Sequence, residues 1–490
     1  MNFRKSYSPS YFLLGYFLLI FLSNNCFALS LEEYLAQTKE KNLGYVASQT
    51  SSKSSSLLSQ KAFLLTSPNF FAEAQTGFEK QNQAIAFVRY KKLETQNYSI
   101  GIEKDFAFGL SSKFYYNVNR SFYQGLTSTS FTPINYNTNP VLQLNVPLWQ
   151  GALGSKVQAK RDLTYYGNQA DKFNFQSNSA NFVVEAEKSY WQLVANQKIV
   201  IISQDALLQS EKILNIINKK ARMNLDEKSD VLQAMADVES KKLQLQQAKN
   251  DARISARNFN QKRYIDSDVV KEKLSEINFD QLEKTQILKT VTNIRADVKA
   301  AAASSKAAIA SARNEEENSK PKLDLSAQYG FNGLEHNRVD AVSNSLSRVG
   351  DEAYVGIKFS VPLAIGLQSD IKSGSRMIAS AAKMNYRQKV FDQNNDWQNL
   401  VQNLKDYQEN LKLSRKIEGL QKSKLENGRY LMKHGRTSTY QLLLFEQDYN
   451  QARVSTIKNA HQFLSLIAET KLYQERPELE AANASINNLH

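Results

Sequence analysis

Two periodicities alternate along the chain, and they predict two kinds of element. Strict alternation of apolar and polar residues is typical of a strand with one apolar and one polar face. The six segments with this alternation are 69–78, 98–107, 112–119, 141–148, 323–329 and 354–361. A polar segment rich in Ser, Thr, Asn and Tyr, 121–140, precedes the fourth and reads as a loop. The sequence therefore predicts six amphipathic strands, four in the first half and two in the second.

Elsewhere the apolar positions recur with a helical period. The heptad positions are Val231, Val238, Leu245, Ala252 and Phe259, and a second series is Leu400, Leu404, Tyr407 and Leu411. Such spacing predicts coiled-coil packing of long helices. No glycine or proline occurs from 168 to 320, and a continuous helix over 151–222 would be ~108 Å long at 1.5 Å per residue. Helices over 30–66 and 278–316 are expected to lead the two halves.

The two halves are related by an internal duplication. The segment "SPNFFAEAQTGF" ending at Phe78 matches "KPKLDLSAQYGF" ending at Phe331, at an offset of 253 residues. Further on, "LNVPLWQG" matches "FSVPLAIG" at an offset of 215 residues, which aligns the prolines and glycines that follow the last strand of each half. The first half is thus 38 residues longer between the two motifs, about one extra β-hairpin with its loop. The joints between strands and helices are predicted at Pro147, Gly151, Pro362 and Gly366.

Two breaks in the helical pattern predict the tips of helical hairpins. They are "KKARMNLDEKSDVL" and "YLMKHGRTSTYQLL". Gly435 can adopt the left-handed conformation that ends a helix, and Asn224 is the next best residue for it. The predicted organisation is a first repeat at 29–260 with a helical hairpin at 151–260, a linker at 261–277, a second repeat at 278–474 with strands at 321–363 and a hairpin at 366–474, and a tail at 475–490.

The N-terminus has the pattern of a secretory signal peptide. Arg4 and Lys5 precede an apolar stretch, 11–22, and the segment Cys26-Phe27-Ala28 fits a cleavage site after Ala28. Because Cys26 is the only cysteine, the mature chain would contain no disulfide and no cysteine-bound metal. No later stretch is apolar enough for a membrane helix, so the mature chain is not expected to be a helical membrane protein.

Charge and motifs exclude several classes of function. The formal net charge is +14, but the basic residues are mixed with Glu, Gln and Asn along the helices, which indicates solvated faces rather than a nucleic-acid site. The chain has no phosphate-binding, zinc-protease or serine-hydrolase motif, and its four histidines are scattered. No enzyme activity, cofactor or metal is expected. A soluble periplasmic coiled-coil or adaptor protein remains as the alternative, although it leaves the six strands unexplained.

The order of signal peptide, helix, strands, Val-Pro-Leu with a following Gly, long helix, tip and long helix, twice over, resembles the TolC-like outer-membrane efflux proteins. The resemblance implies a mainly α fold with a transmembrane β-barrel section: an internally duplicated, trimeric tunnel with a shared barrel in the outer membrane and an α-barrel in the periplasm of a Gram-negative bacterium. It implies a passive exit duct for efflux or type I secretion. The implied partners are a periplasmic adaptor, an inner-membrane pump of RND, ABC or MFS type, and outer-membrane lipid, with no nucleic acid.

The resemblance also implies roles for a few residues. Met223, Asn224 and Leu225, with Gly435 and Arg436 in the second repeat, match the tip that contacts the adaptor. Asp230 stands where the family carries an acidic residue at the periplasmic entrance, whereas Gln441 and Leu444 replace acidic residues in the second repeat. Arg436 is a candidate latch at the same entrance. A purely structural reading of Asp230, as an acidic residue favouring a helix N-terminus, stays open.

Overall fold

The computed structural model describes residues 28–80, 89–126, 131–223, 228–288, 290–347 and 350–474. The predicted signal peptide up to residue 27, the predicted tail 475–490 and the tip residues Asn224 and Leu225 lie outside the described residues.

Helices make up most of the described chain, and two of them are very long. The helices are α1 (Leu31–Lys41), α2 (Leu43–Leu58), α3 (Lys61–Leu64), α4 (Ser155–Arg222), α5 (Lys228–Lys262), α6 (Phe279–Glu283), α7 (Ala296–Asn318), α8 (Arg338–Leu346), α9 (Ile365–Lys433) and α10 (Thr439–Thr470). Helices α4 and α9 contain 68 and 69 residues, which confirms the prediction of a long helix before each hairpin tip. No helix among the described residues is both long and apolar enough to cross a membrane.

The helical segments expected over roughly 30–66 and 278–316 each consist of more than one helix. The first is divided at Asn42, whose extended backbone and side-chain oxygen cap α2 by accepting a hydrogen bond from the Tyr45 N–H at 3.1 Å. A cap of this kind competes with continued helix because it offers the first free N–H groups a partner. In the second, residues 284–295 separate α6 from α7.

A single antiparallel sheet contains all the strands. They are β1 (Asn69–Glu79), β2 (Lys92–Asp105), β3 (Ser111–Gln124), β4 (Ile134–Pro147), β5 (Lys322–Phe331), β6 (Gly333–Glu335) and β7 (Asp351–Ser360). The sheet order is β1-β2-β3-β4-β5-β7, and the short β6 pairs with β4. The six predicted strands are confirmed, although β6 and α8 were not predicted.

The predicted loop 121–140 is wrong at both of its ends. Strand β3 continues to Gln124 and β4 begins at Ile134, so only 125–133 connect them. The segment was read as loop because Asn is depleted in strands. In the sheet, Asn137 and Asn139 lie opposite Asn119 and Asn117, and these cross-strand pairs replace the apolar alternation that sequence reasoning relied on.

The chain divides into two compact units. Unit 1 comprises the described residues up to Thr38 together with Ser189–Glu283 and Ser414–His461. An aromatic cluster lies in its core, where the rings of Tyr34 and Phe259 stack at 4.2 Å between centroids and the Tyr190 hydroxyl donates to the Leu29 carbonyl oxygen at 2.7 Å. The segment between α5 and α6, the predicted linker, is held by Asn260, whose amide donates to the carbonyl oxygens of Ser267 and Val269 at 3.0 Å each.

Unit 2 comprises Lys39–Lys188, Lys284–Leu413 and the described residues from Gln462 onward. It contains the entire sheet. An ionic network near the start of α7 centres on Arg295, which donates to the carboxylates of Asp297 and Asp396 and to the Tyr473 hydroxyl at 2.7–3.1 Å. The hydrogen bond to Asp297 is the largest influence that raises the pKa of Arg295, so this guanidinium stays charged throughout the accessible pH range.

Candidate functional site: sheet faces, joints and helical tips

One face of the sheet is apolar across all six long strands. Along one row, Phe70, Ile102, Phe114, Leu142 and Tyr329 lie directly opposite one another in successive strands. Directly opposed residues share a face, and so do residues two apart on one strand. Other apolar residues of this face include Ala72, Ala74, Tyr98, Ile100, Val118, Leu144, Val146, Leu325, Ala327, Val355, Ile357 and Phe359.

The other described residues leave this apolar face largely uncovered. Ile100, Phe114 and Ile357 keep 51%, 56% and 70% of their surface exposed. Helix α8 covers a small part of it, where the Thr138 hydroxyl donates to the Ala341 carbonyl oxygen at 2.7 Å. An exposed apolar surface of this extent marks a site of interaction with lipid or protein.

The opposite face is mainly polar. Its polar residues include Glu73, Gln75, Asn97, Ser99, Asn117, Asn119, Asn137, Asn139, Gln143, Asn145, Ser326, Gln328 and Lys358. Besides Leu93, Tyr123 and Tyr354, one apolar row consists of Phe71, Tyr115 and Val141, which close over Gly101 and Gly330. The sheet thus separates an apolar side from a water-compatible side.

The two ends of the sheet differ in their connections. At one end the β2–β3 turn is short, 106–110, and the connections to α3, α4, α7 and α9 leave from this end. At the other end the connections are longer, 80–91, 125–133 and 336–350. Outer-membrane barrels have the same asymmetry, with short periplasmic turns and longer external loops.

The first joint between sheet and helix is a cluster of glycines. Gly151 and Gly154 have φ of 80° and 77°, a left-handed conformation that favours glycine. A Cβ on Gly154 would lie 1.9 Å from the Ala107 carbonyl oxygen, and one on Gly109 would lie 2.8 Å from the Gly154 nitrogen. The β2–β3 turn therefore packs backbone against backbone on the predicted joint that follows Pro147.

A buried carboxylate fixes the same joint from the side of α7. Glu317 accepts hydrogen bonds from the Gly151 N–H at 3.0 Å and from the Lys320 ammonium at 2.6 Å. Burial by itself raises the pKa of Glu317, but these two donors outweigh it and hold the pKa below the ordinary value of 4.5. Sequence reasoning missed Glu317, because the joint partner comes from the other repeat.

The second predicted joint has a different conformation. Pro362 lies between the end of β7 and the start of α9, whereas Gly366 lies inside the first turn of α9. Gly366 is not among the glycines with positive φ, and a Cβ there would meet no atom within 4 Å. The aligned glycines are thus equivalent in position, but only Gly151 needs to be glycine for its backbone.

The tip of the second hairpin is a Schellman motif. Gly435 has φ of 68°, its N–H donates to the Met432 carbonyl oxygen at 3.2 Å, and the Arg436 N–H donates to the Leu431 carbonyl oxygen at 3.0 Å. These are the two bonds expected when a left-handed glycine ends a helix. The prediction that Gly435 ends α9 in this way is confirmed.

The remaining candidate tip and entrance residues lie near the ends of their helices. Met223 follows α4 and is 70% exposed, and Asp230 is half-buried in the first turn of α5. Arg436, Gln441 and Leu444 are exposed, and Ser438 caps α10 by accepting a hydrogen bond from the Gln441 backbone N–H at 3.2 Å. Their predicted roles in adaptor contact and gating stay predictions.

A hydrophobic cluster brings the two tips to one end of unit 1. It contains Ile217 of α4, Ala234 of α5, Leu425 of α9, and Leu442 and Leu443 of α10. Val231, next to Asp230, packs against it. The candidate residues of both hairpins therefore share one end of a four-helix arrangement.

A stretch of α9 carries an unburied apolar stripe that sequence reasoning missed. No residue from 365 to 392 is buried. Met377, Met384 and Phe391 recur every seven residues and are 69%, 64% and 61% exposed, and Ile371 and Ile378 recur beside them. The heptad spacing could have revealed this seam, since it needs a partner helix to cover it.

Comparisons with solved structures identify the fold. The outer-membrane channel OprN superposes with a TM-score of 0.64 at 15% identity, covering 91% of this chain and 90% of OprN. The CmeC outer membrane channel of Campylobacter jejuni superposes with a TM-score of 0.61 at 14% identity, and the match covers 92% of this chain and 88% of CmeC. The chain has the TolC-like channel fold.

The TolC-like fold extends over nearly the whole described chain. The outer membrane protein VceC from Vibrio cholerae superposes with a TM-score of 0.61 at 12% identity. The match covers 90% of this chain and 94% of VceC. No protein-family model and no curated protein matches by sequence. At identities this low the likeness is one of fold, so residue roles depend on the geometry described above.

Proposed function

We propose that the chain is the outer-membrane channel of a tripartite efflux or type I secretion system, a passive duct from periplasm to exterior. The observation that carries this proposal is the open sheet, whose faces are apolar and polar over all six long strands. Lipid would contact the apolar face and water the polar one, as in outer-membrane barrels. The TolC-like fold of OprN and CmeC, both described as outer-membrane channels, supports the same assignment.

Closure of the sheet requires further copies of the chain. Strands β1 and β7 are the edges of the sheet, and neither pairs with a second strand among the described residues. A membrane cannot satisfy the N–H and C=O groups of an open edge, so the barrel must be closed by other protomers. The fold implies three copies.

The helices require the same association. The stripe Met377, Met384 and Phe391 on α9 is not covered by another helix among the described residues, and α5 exposes Leu232 and Met235 in a similar way. Neighbouring copies would cover both, forming an α-barrel that extends into the periplasm. We therefore assign the helical end of the sheet to the periplasm and the opposite end, with the longer connections 80–91, 125–133 and 336–350, to the outside.

The tips provide a docking surface for a periplasmic adaptor linked to an inner-membrane pump. The Schellman turn at Gly435 is exposed, and a Cβ there would meet no atom of the chain within 4 Å. Asp230, Arg436, Gln441 and Leu444 would line the entrance beside it. A soluble adaptor, the alternative function, would leave the apolar sheet face exposed to water.

Two measurements test the proposal. The protein should sediment with the outer membrane and run as a trimer that heat dissociates, and recovery as a soluble monomer would contradict it. The adaptor contact is tested by Gly435→Ala, with Gly419→Ala in the preceding helix α9 as control because a Cβ there also meets nothing within 4 Å. We expect Gly435→Ala to leave the trimer intact and to lose complementation of efflux in a deletion strain. Equal complementation by both variants would refute the tip as the adaptor contact.

A further inference from the structure

The extra hairpin of the first repeat lies inside the wall of the sheet. We propose that β2 and β3 (Lys92–Gln124) span the membrane with the other strands, so that each protomer contributes six strands and three copies close an 18-stranded barrel. This inference rests on the proposed function and adds the width of the membrane section to it.

The duplication shows where the hairpin was inserted. In the second repeat β5 pairs directly with β7, from Lys322 opposite Ser360 to Phe331 opposite Asp351. The aligned strands of the first repeat, β1 and β4, do not pair with each other, because β2 and β3 lie between them. The hairpin thus separates two strands that would otherwise be neighbours.

Pairing extends along the whole hairpin on both sides. Strand β2 pairs with β1 from Asn69 opposite Glu103 to Glu79 opposite Leu93. Strand β3 pairs with β4 from Ser111 opposite Asn145 to Phe122 opposite Ile134. An appended hairpin that lay over the sheet or outside the membrane would not need this continuous ladder.

The two faces of the hairpin are in phase with those of the sheet. Tyr98, Ile100 and Ile102 lie on the apolar face, and Asn97 and Ser99 lie on the polar face. A slip of one residue would reverse every side chain. Strands of 14 residues also exceed the ~9–11 residues that a tilted membrane strand needs.

The hairpin is anchored at its helical end and along its length. At the helical end, the 106–110 turn packs against Gly151 and Gly154 of the first joint. In the middle of β3, opposite Ile100 and Pro140, Tyr116 hydrogen-bonds Ser345 of α8 at 3.0 Å between hydroxyl oxygens. The hairpin therefore occupies the same depth as the strands beside it.

The number of strands permits closure. The six long strands alternate in direction, so β7 of one copy can pair antiparallel with β1 of the next. Three copies give 18 strands, against 12 without the hairpin. Because barrel diameter grows roughly linearly with strand number, the membrane section would be about 1.5-fold wider.

Cysteine labelling tests the placement of the hairpin. Cys26 is the only cysteine, so single cysteines can be introduced in a Cys26→Ser background. The test pair on β2 is Ser99→Cys and Ile100→Cys, and the reference pair on β5 is Ser326→Cys and Ala327→Cys. Trimers in outer-membrane vesicles are treated with a water-soluble maleimide. We expect labelling of both serine positions and protection of both apolar positions by lipid.

The outcomes separate this inference from the proposed function. If Ile100→Cys reacts as fully as Ser99→Cys while Ala327→Cys stays protected, the barrel exists without the hairpin and the inference is overturned. If Ser326→Cys and Ala327→Cys also react alike, the sheet does not face lipid and the proposed function fails with it.

Polymer exclusion tests the width. Deleting 92–124 leaves β1 and β4 joined by one loop, as β5 and β7 are in the second repeat. Polyethylene glycols of graded size are added to the external side of the reconstituted channel. We expect the largest polymer that still enters to have a radius about 1.5-fold greater in the full chain than in the deletion variant. If the largest polymer that enters has the same radius in both channels, the inference is overturned. If the deletion variant does not assemble, the cysteine labelling decides the inference.

Discussion

At the scale of single residues, the first joint shows why a few positions accept no other side chain. Gly154 combines a left-handed backbone with contact to the Ala107 carbonyl, whereas Gly167 in α4 has neither constraint, since a Cβ there meets nothing within 4 Å. The motif match marked Gly151 in the sequence. It did not mark Gly154 or Glu317, because their partners lie in a turn and a helix that are remote in sequence.

Gly154→Ala should destabilise the trimer. The left-handed backbone alone costs about 1–3 kcal/mol per protomer for alanine, and the clash with Ala107 adds to it. We expect a lower temperature of heat dissociation on gels, while Gly167→Ala, inside a helix, leaves it unchanged or raises it. Equal dissociation temperatures for the two variants would contradict the packing of the 106–110 turn on the joint.

Glu317 should make the joint sensitive to acid. Its folded-state pKa lies below the unfolded value, so its stabilisation is present above the ordinary pKa of 4.5 and is lost as pH falls through the lowered folded-state pKa. We expect the wild-type dissociation temperature to fall as the pH is lowered below about 5. The dissociation temperature of Glu317→Gln should be lower than that of the wild type at neutral pH and should fall less as the pH is lowered. Glu409→Gln, which removes an exposed carboxylate on α9, should follow the wild type. Parallel curves for wild type and Glu317→Gln would refute this role.

Asp230 should contribute to ion selectivity. Three copies at the entrance would form one acidic ring, and Gln441 offers no second ring. We expect Asp230→Asn to shift the reversal potential under a salt gradient toward weaker cation preference. Asp266→Asn, an exposed residue between α5 and α6, serves as control. An unchanged reversal potential for Asp230→Asn would leave it the structural role of favouring the N-terminus of α5.

At the scale of elements, the periodicity of the sequence predicted whether a segment is helix or strand better than it predicted the residues at which the segment begins and ends. Strands β1, β5 and β7 follow the apolar alternation and were placed to within a few residues. Strands β3 and β4 extend past it because rows of Asn, including Asn119 and Asn137, pair across strands there. Strand β6 and helix α8 are too short for a period to be visible in the sequence. They pack closely because Gly333 has no side chain, and a Cβ there would lie 2.0 Å from the Ala341 carbonyl oxygen of α8.

The α9 stripe should hold neighbouring protomers together. Replacing Met377, Met384 and Phe391 by Ser removes apolar surface worth about 1.5–3 kcal/mol for each side chain that is buried on assembly. We expect the triple variant to dissociate to monomers at a lower temperature or detergent concentration. Lys383→Ser with Arg387→Ser, exposed positions of the same helix outside the stripe, should dissociate like the wild type. A triple variant as stable as this control would show that the stripe faces water.

At the scale of the whole molecule, the duplication allowed the fold to be predicted from one sequence. Two matched motifs and a tip in each half fixed the order of elements, and the solved TolC-like channels reproduce it over about nine-tenths of the chain. The 38-residue excess predicted an extra hairpin. Its place between β1 and β4 could not be predicted, because the partner of an inserted strand depends on register with strands on either side rather than on its own alternation.

Electrical recording from the purified trimer in a planar lipid bilayer tests whether the protein forms a water-filled duct through the outer membrane. We expect the current to rise in steps as trimers insert, each step being a long-lived, ion-selective conductance that disappears when the trimer is dissociated. Trimers that insert into the bilayer, as shown by their recovery from it, yet leave the current at baseline would contradict it.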